Sequence, residues 1–474
     1  MNGQEQSERK RHQMINQPVE RLVVTLAIPT ILSMLVSSVY NMADTFFVSR
    51  LGTSATGAVG ICFSVMAVIQ AIGFTFGQGA GNTVSRLLGR QDRDEAVKVA
   101  STGFFSAFGL SALLAVIGSF FVVPLVRLLG ATETITPYAA DYLRYLFIGM
   151  PFISSSFVLN NLLRYQGNAA YAMVGIMTGA VLNIALDPLL IYTFDLGVGG
   201  ASLATAISQL VSFVILLIQS TRGGNITPSL RHFSWQPGIH LTILKNGAPT
   251  LLRQGLASVA AIVLNTSASA FGDAAIAAMA IVSRVLMFGL SALLGFGQGF
   301  QPVCGFNYGA GRYDRVNKAF WFSVKITTSI LVVFSLVGLL VAPEVIAFFQ
   351  KEDPEVIRIG AAALRYHLLA LPLLSFTILA MMITQTIGAS AKASVLALAR
   401  QGMFFVPLVY VLPRLIGIPG LQISQPISDV LSFLLSLILT IPLLKSLAKP
   451  VAVSAPEDSL PAVNLQQARQ SCKK

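Results

Sequence analysis

Charge is the first thing this sequence lacks. Of its 474 residues only 11% are charged, against roughly 25% in an ordinary soluble protein, while 54% are hydrophobic and the mean hydropathy is +0.72. That scarcity excludes a soluble globular fold and leaves a membrane protein. Cysteine is scarce too: Cys62, Cys304 and Cys472 share no spacing of a metal site or a disulfide framework. The four histidines are scattered, so no structural zinc, paired His or reactive thiol marks an enzyme. Period-two alternation in segments of about ten residues is missing as well, which excludes a transmembrane barrel. The net charge of +12 does not point to nucleic acid, because its cations are spread over many connectors instead of one soluble face.

What is present is a series of apolar stretches, each near the roughly 20 residues needed to cross a bilayer core. They predict an all-α membrane protein of twelve transmembrane helices, at about 22–49, 55–80, 99–126, 137–161, 170–193, 198–220, 241–269, 275–301, 319–342, 358–385, 392–416 and 421–446. The first twenty residues are polar, so the first helix is expected to serve as an uncleaved targeting element. Connectors on the N-terminal side carry Arg86, Arg90, Arg93, Lys98, Arg222, Arg231, Lys245, Arg312, Arg315 and Lys318, whereas the opposite ones hold only a few cations such as Arg127, Lys351 and Arg414. The positive-inside rule then puts both termini in the cytoplasm and the chain in a cell membrane, the bacterial inner or plasma membrane.

The sequence also repeats itself. Pro29-Thr30 returns as Pro249-Thr250, Gly77-Gln78-Gly79 as Gly297-Gln298-Gly299, Leu143-Arg144-Tyr145 as Leu364-Arg365-Tyr366, and Gly197 with Gly200 as Gly417 with Gly420. A constant offset of about 220 residues marks a duplication. The expected plan is two pseudo-symmetric six-helix lobes: a cytoplasmic segment 1–21, an N-lobe 22–220, a cytoplasmic linker 221–240, a C-lobe 241–446 and a disordered cytoplasmic tail 447–474. Prolines within spans, Pro29, Pro151, Pro188, Pro249, Pro372 and Pro407, remove backbone hydrogen bonds and permit bends.

Intramembrane carboxylates cost at least about 2.5 to 3.5 kcal/mol on insertion scales, and Asp44, Asp187 and Asp429 fall clearly inside spans. At about 1.5 Å per residue, Asp44 and Asp187 lie roughly 8 Å inside the outer ends of their helices. Thr205 on the next helix lies at a similar level, and Asn183 is one turn deeper than Asp187 on the same face. Two carboxylates in a poorly hydrated pocket disfavour double ionisation, so a proton can load there. The same oxygens, with the Asn183 carbonyl and the Thr205 hydroxyl, also suit a hard cation such as Na+. Tyr40, one turn before Asp44, is a candidate to line the cavity. Their counterparts in the second copy are not acidic, so the repeat is unequal where an ion would bind. In the second half, Arg253, Arg284 and Arg400 fall inside spans. Similar depths suggest an Arg284–Asp429 ion pair lining the cavity. Three intramembrane arginines also leave room for anionic or zwitterionic substrates.

In its motifs YNMADT (40–45), GQGAGNTVSRLLG (77–89), NIALDP (183–188) and GQGFQPVCGFNYGAG (297–311), the chain resembles the multidrug and toxic compound extrusion (MATE) transporters over residues 20–446. The resemblance implies that Asp44, Asn183, Asp187 and Thr205 form a cation site in the N-lobe. It also implies a secondary antiporter exporting amphipathic small molecules in exchange for H+ or Na+, surrounded by membrane lipids, needing no cofactor and working as a monomer. Relatives that place acidic residues in the seventh and tenth helices differ from this chain, which has Gln254 and no carboxylate across 368–377. A lipid-linked saccharide flippase of the same broad superfamily is the alternative, kept open by the arginines.

Overall fold

Lipid offers a backbone no hydrogen-bond partners, so a spanning chain must satisfy its own amides within each segment. The computed structural model, described over residues 3–351 and 353–448, does this with helices throughout. The N-terminal half comprises α1 (Gly3–Asn16), α2 (Val19–Ser49), α3 (Thr53–Gly89), α4 (Arg93–Phe120), α5 (Val122–Leu128), α6 (Thr136–Tyr165), α7 (Ala169–Pro188) and α8 (Gly197–Ser220). The C-terminal half comprises α9 (Pro237–Ser269), α10 (Asp273–Gly309), α11 (Tyr313–Leu340), α12 (Ala342–Phe349), α13 (Pro354–Ala370), α14 (Leu373–Thr386), α15 (Ser390–Leu398), α16 (Val406–Ile416) and α17 (Ile418–Ala448). Eleven helices are long and apolar enough to span a membrane, or twelve when α13 and α14, bent by 54° at their junction, are taken as one. The tail expected from 447 onward falls, from residue 449, outside the described residues.

Element order repeats along the chain. A glycine with positive φ, Gly52 (113°) and Gly272 (87°), opens the 37-residue helices α3 and α10, a conformation that side-chain-bearing residues rarely adopt. Each third span ends early and is followed by a short helix, α5 or α12. The expected uninterrupted span 99–126 is therefore corrected to α4 plus α5, broken at Phe121, whose φ of −117° and ψ of 28° leave the helical region. The tenth span, expected as one helix over 358–385, is broken at Leu371-Pro372 because Pro372 starts a new helix.

Helices α2 and α3 of the first half pack on α10 and α9 of the second. The closest approaches lie toward the side of the membrane that holds the N-terminus, and they require glycine. A Cβ on Gly79 would overlap the carbonyl oxygen of Ile243, and one on Gly247 the carbonyl of Thr75. Gly89 and Gly309 meet the Phe306 and Arg86 carbonyls in the same way. Small residues let backbones approach where apolar side chains would gain nothing over lipid. Around these crossings, Asn246 Nδ2 donates to Thr83 Oγ1 (2.9 Å), Thr250 Oγ1 to Gln78 Oε1 (2.7 Å) and Thr386 Oγ1 to Asn82 Oδ1 (2.8 Å). Buried Arg164 donates through Nη1 to Gln298 Oε1 across the halves (2.5 Å) and through Nη2 to Asn161 Oδ1 (2.5 Å).

Helix α1 bridges the halves on the same side. Met14 and Ile15 are buried, Arg11 Nε donates to the Gly89 carbonyl (3.1 Å), and the Met14 carbonyl accepts from Asn307 Nδ2 (3.1 Å). Lys10 Nζ donates to Asn225 Oδ1 (2.8 Å). Burial, with help from the nearby Arg93 cation, lowers the Lys10 amine to about 8.

Two expectations follow for this side. Gly79→Val overpacks a backbone contact, which costs about 1–3 kcal/mol; deuterium uptake over 75–83 and 243–250 should rise, and unchanged uptake would show that the crossing tolerates a side chain. Below about pH 8 the buried Lys10 amine is charged and docking of α1 is penalised, and that penalty disappears as pH rises from about 8 toward 10.5. Exchange protection of residues 5–16, corrected for intrinsic rates, should increase over that window in the native chain and stay flat in Lys10→Met.

Candidate functional site

Three consecutive features of the sequence assemble one polar cluster in the first half. Helix α7 carries Asn183 and Asp187 one turn apart, and Pro188 then withholds the N–H that would bond one turn back. The chain widens into a π turn over Leu189–Thr193, a distortion frequent at functional sites. The turn into α8 brings Thr205 against α7. Asn183 Nδ2 donates both to Asp187 Oδ1 (3.3 Å) and to Thr205 Oγ1 (3.3 Å). Asp187, Asn183 and Thr205 are all buried, with Asp187 completely enclosed.

Helix α2 contributes the remaining groups. Asp44 lies within electrostatic reach of Asp187, and Tyr40 within reach of both carboxylates. Tyr192 Oη, in the π turn, donates to the Phe47 carbonyl (2.6 Å) and ties α2 to this segment. The structure therefore brings Asp44, Asn183, Asp187, Thr205 and Tyr40 together. It adds Tyr142 of α6, buried and within reach of Asp44, Asp187 and Tyr40, with its backbone held by Ser202 Oγ (2.6 Å). Sequence reasoning missed Tyr142. Its signal was faint, a lone phenol just before the repeated Leu143-Arg144-Tyr145 motif.

The chemistry of the cluster is set by what its oxygens lack. Asp44 Oδ1, Asn183 Oδ1 and Asp187 Oδ2 are buried without a hydrogen-bond partner. Each unsatisfied buried acceptor costs on the order of 1–3 kcal/mol, and native proteins leave few of them. Three acceptors with no donor can be served by water, by a proton or by a hard cation. Among the described residues no group of three or more His, Cys, Asp or Glu is placed to hold a metal, so a bound cation would need the Asn183 and Thr205 oxygens as well.

The second half differs from its expectation. Asp429 pairs with Arg400, Nε to Oδ1 at 2.8 Å, and not with Arg284. Depth alone suggested Arg284, but α10 turns Met279 and Val282 into the core and leaves Arg284 exposed. Azimuth around the helix decides the pairing, and Arg400 sits on the side of its own helix that faces Asp429.

A helical membrane scaffold carrying a buried acceptor cluster is the architecture of a membrane transporter. Comparison with known proteins agrees. The MatE family model matches twice, over residues 29–189 and 249–411, and the chain belongs to this family of secondary transporters. The Multidrug export protein MepA of Staphylococcus haemolyticus is 28% identical, across 86% of this chain and 90% of that protein. Among solved structures, a MATE transporter crystallised with MaL6 superposes with a TM-score of 0.87 at 28% identity, covering 92% of this chain and 98% of the other. An outward-facing multidrug resistance MATE transporter of the MOP superfamily gives 0.84 at 29% identity, with the same coverages.

The orphaned oxygens make a prediction opposite to the usual effect of a buried substitution. Asp187→Asn replaces a carboxylate by an amide whose NH2 can serve neighbouring acceptors, so it should raise the melting temperature in detergent, by about 1 kcal/mol of stability. A lowered melting temperature would mean that the Asp187 oxygens are already satisfied.

Proposed function

We propose that this chain is a cation-coupled antiporter that exports amphipathic organic compounds across a bacterial plasma membrane in exchange for an inward-moving proton or sodium ion. The single observation that carries the reading is the set of three buried oxygens on Asp44, Asn183 and Asp187 without a donor. A cation arriving there fills them; its departure leaves them empty again. Such a site differs in free energy with the state of the protein only if helix movements change its solvation, and the proline at 188 with the adjoining π turn supplies a local joint for that.

The halves act as two six-helix lobes, and both termini face the cytoplasm, where the connectors concentrate Lys and Arg. The glycine crossings hold the two halves together on the cytoplasmic side, which supports reading this conformation as outward-facing. Export proceeds when the lobes rock about a site held near the outer half of α2 and α7, as transporters built from repeats commonly do. The name of the staphylococcal relative, a multidrug export protein, supports the direction of transport and the breadth of substrates. One chain contains both lobes and works as a monomer.

The test is transport in proteoliposomes with a pH gradient and a sodium gradient imposed separately. One of the two should drive uphill movement of a cationic dye, and Asp44→Asn and Asp187→Asn should each cut that coupled movement at least tenfold while dye binding survives. Full gradient-driven transport by both variants would defeat the assignment of the ion to this cluster.

A further inference from the structure

A second intramembrane cavity, of about 180 Å³, lies inside the C-terminal half between α9, α10, the α13–α14 pair, the segment 399–405 and α17. Its position follows from the duplication. Leu264 lines it, and Leu264 stands 220 residues after Asp44 (264 − 44); Gln425 lines it too, 220 residues after Thr205 (425 − 205). The cavity is thus the counterpart, in the repeated half, of the acceptor cluster described above. The walls have exchanged their charge. An apolar residue stands where Asp44 would be, and Arg400 and Asp429 occupy positions whose first-half equivalents are Ala180 and Gln209.

The arrangement of Arg400 leaves binding capacity unused. Its guanidinium meets Asp429 through Nε alone (2.8 Å), not through the parallel two-nitrogen fork that saturates an arginine–carboxylate pair. Among the described residues neither Nη atom has a hydrogen-bond partner, and the side chain keeps 20% of its exposure while Asp429 keeps 4%. The Asp429 Oδ1 atom is satisfied a second time by Gln425 Nε2 (2.8 Å). Beside Arg400, Gln401 Oε1 is buried without a partner. Arg253 on α9 lies within electrostatic range of Arg400, so two guanidiniums beside one carboxylate leave the region with an excess positive charge. The backbone is prepared as well: Arg400 and Gln401 sit in a π-helical stretch, Ala399–Phe405, and Ser428 Oγ fixes the Arg400 carbonyl (2.6 Å).

We infer that this cavity is a subsite for an anionic group, a carboxylate or a similar oxyanion, borne by one end of an exported amphiphile and received by the free Nη edge of Arg400. At about 180 Å³ it is smaller than the roughly 300–1,000 Å³ of pockets that enclose a whole drug-sized ligand, and it fits one acidic arm. Asp429 serves as a positioning residue that holds the guanidinium by Nε so that the fork faces the cavity. The inference rests on the export reading for its ligand class, and it extends that reading from cationic to zwitterionic compounds.

The probes are rhodamine B, which carries a carboxylate at neutral pH, and its ethyl ester, which has the same chromophore without that charge. Binding to the purified full-length protein in detergent is followed by fluorescence anisotropy with no ion gradient. The native chain should bind the acid at least tenfold more tightly than the ester. Arg400→Gln combined with Asp429→Asn, which removes both members of the pair together, should bring that ratio to about one with ester affinity unchanged. Should the double variant not fold, Arg253→Gln is expected to reduce the ratio severalfold through loss of the excess charge. A ratio near one in the native chain, or a tenfold ratio that survives these substitutions, overturns the subsite. Gradient-driven efflux of both dyes is measured in parallel. Absence of efflux beside an intact binding ratio would sink the export reading and leave the subsite standing.

Discussion

A charge placed among hydrocarbon chains must be neutralised by something, and where the neutralising partner comes from decides what each half of this protein does. Asp429 has its partners built in: Arg400 and Gln425 both donate to one oxygen. Asp44 Oδ1 and Asp187 Oδ2, by contrast, are buried without a donor. The first arrangement is complete within the fold, whereas the second leaves acceptors open, and the proposed coupling site rests on that difference. In the proposed cycle, the π turn after Asp187 and the glycine crossings are what make that site reachable by turns.

Much of this was legible in the sequence because lipid leaves so few choices. Apolar runs became helices because no other open structure satisfies the backbone there, and the observed spans begin and end within a few residues of those expected in most cases. The long helices α3 and α10 run past their apolar stretches to Gly89 and Gly309, because their last turns are buried where the two halves cross. Asp44, Asn183, Asp187 and Thr205 came together because depth is encoded by counting residues along a helix. Azimuth is not encoded so simply. Arg284 and Asp429 share a depth, yet a rotation about α10 separates them, and only packing fixes that rotation. Tyr142 escaped notice for the same reason, because it reaches the cluster from a helix whose buried face could not be chosen from periodicity when nearly all of α6 is buried.

The duplication supplies equal scaffolds and unequal contents. Gly52 and Gly272 make the same turn, α5 and α12 follow the same span, and α2–α10 and α3–α9 are exchanged by the repeat. Within that frame, substitution of a few side chains reverses the sign of the interior field: acceptors without donors in one half, donors in excess of acceptors in the other. A repeat is well suited to this divergence, since each cavity can change its chemistry while the backbone contacts between halves stay as they are.

Those contacts have a bearing on how the ends of the chain can be handled. Helix α1 touches the first half at Gly89 and the second at Asn307, and so it bridges the two halves at the joint that the proposed export cycle would open. In that cycle a fluorescent protein or affinity handle fused ahead of α1 would load the joint and bias which face of the membrane is open, without altering Asp44, Asn183, Asp187 or Thr205. Each fusion at the amino end thus needs its own control for conformational preference, because a change in transport rate there reports on a hinge and not on recognition.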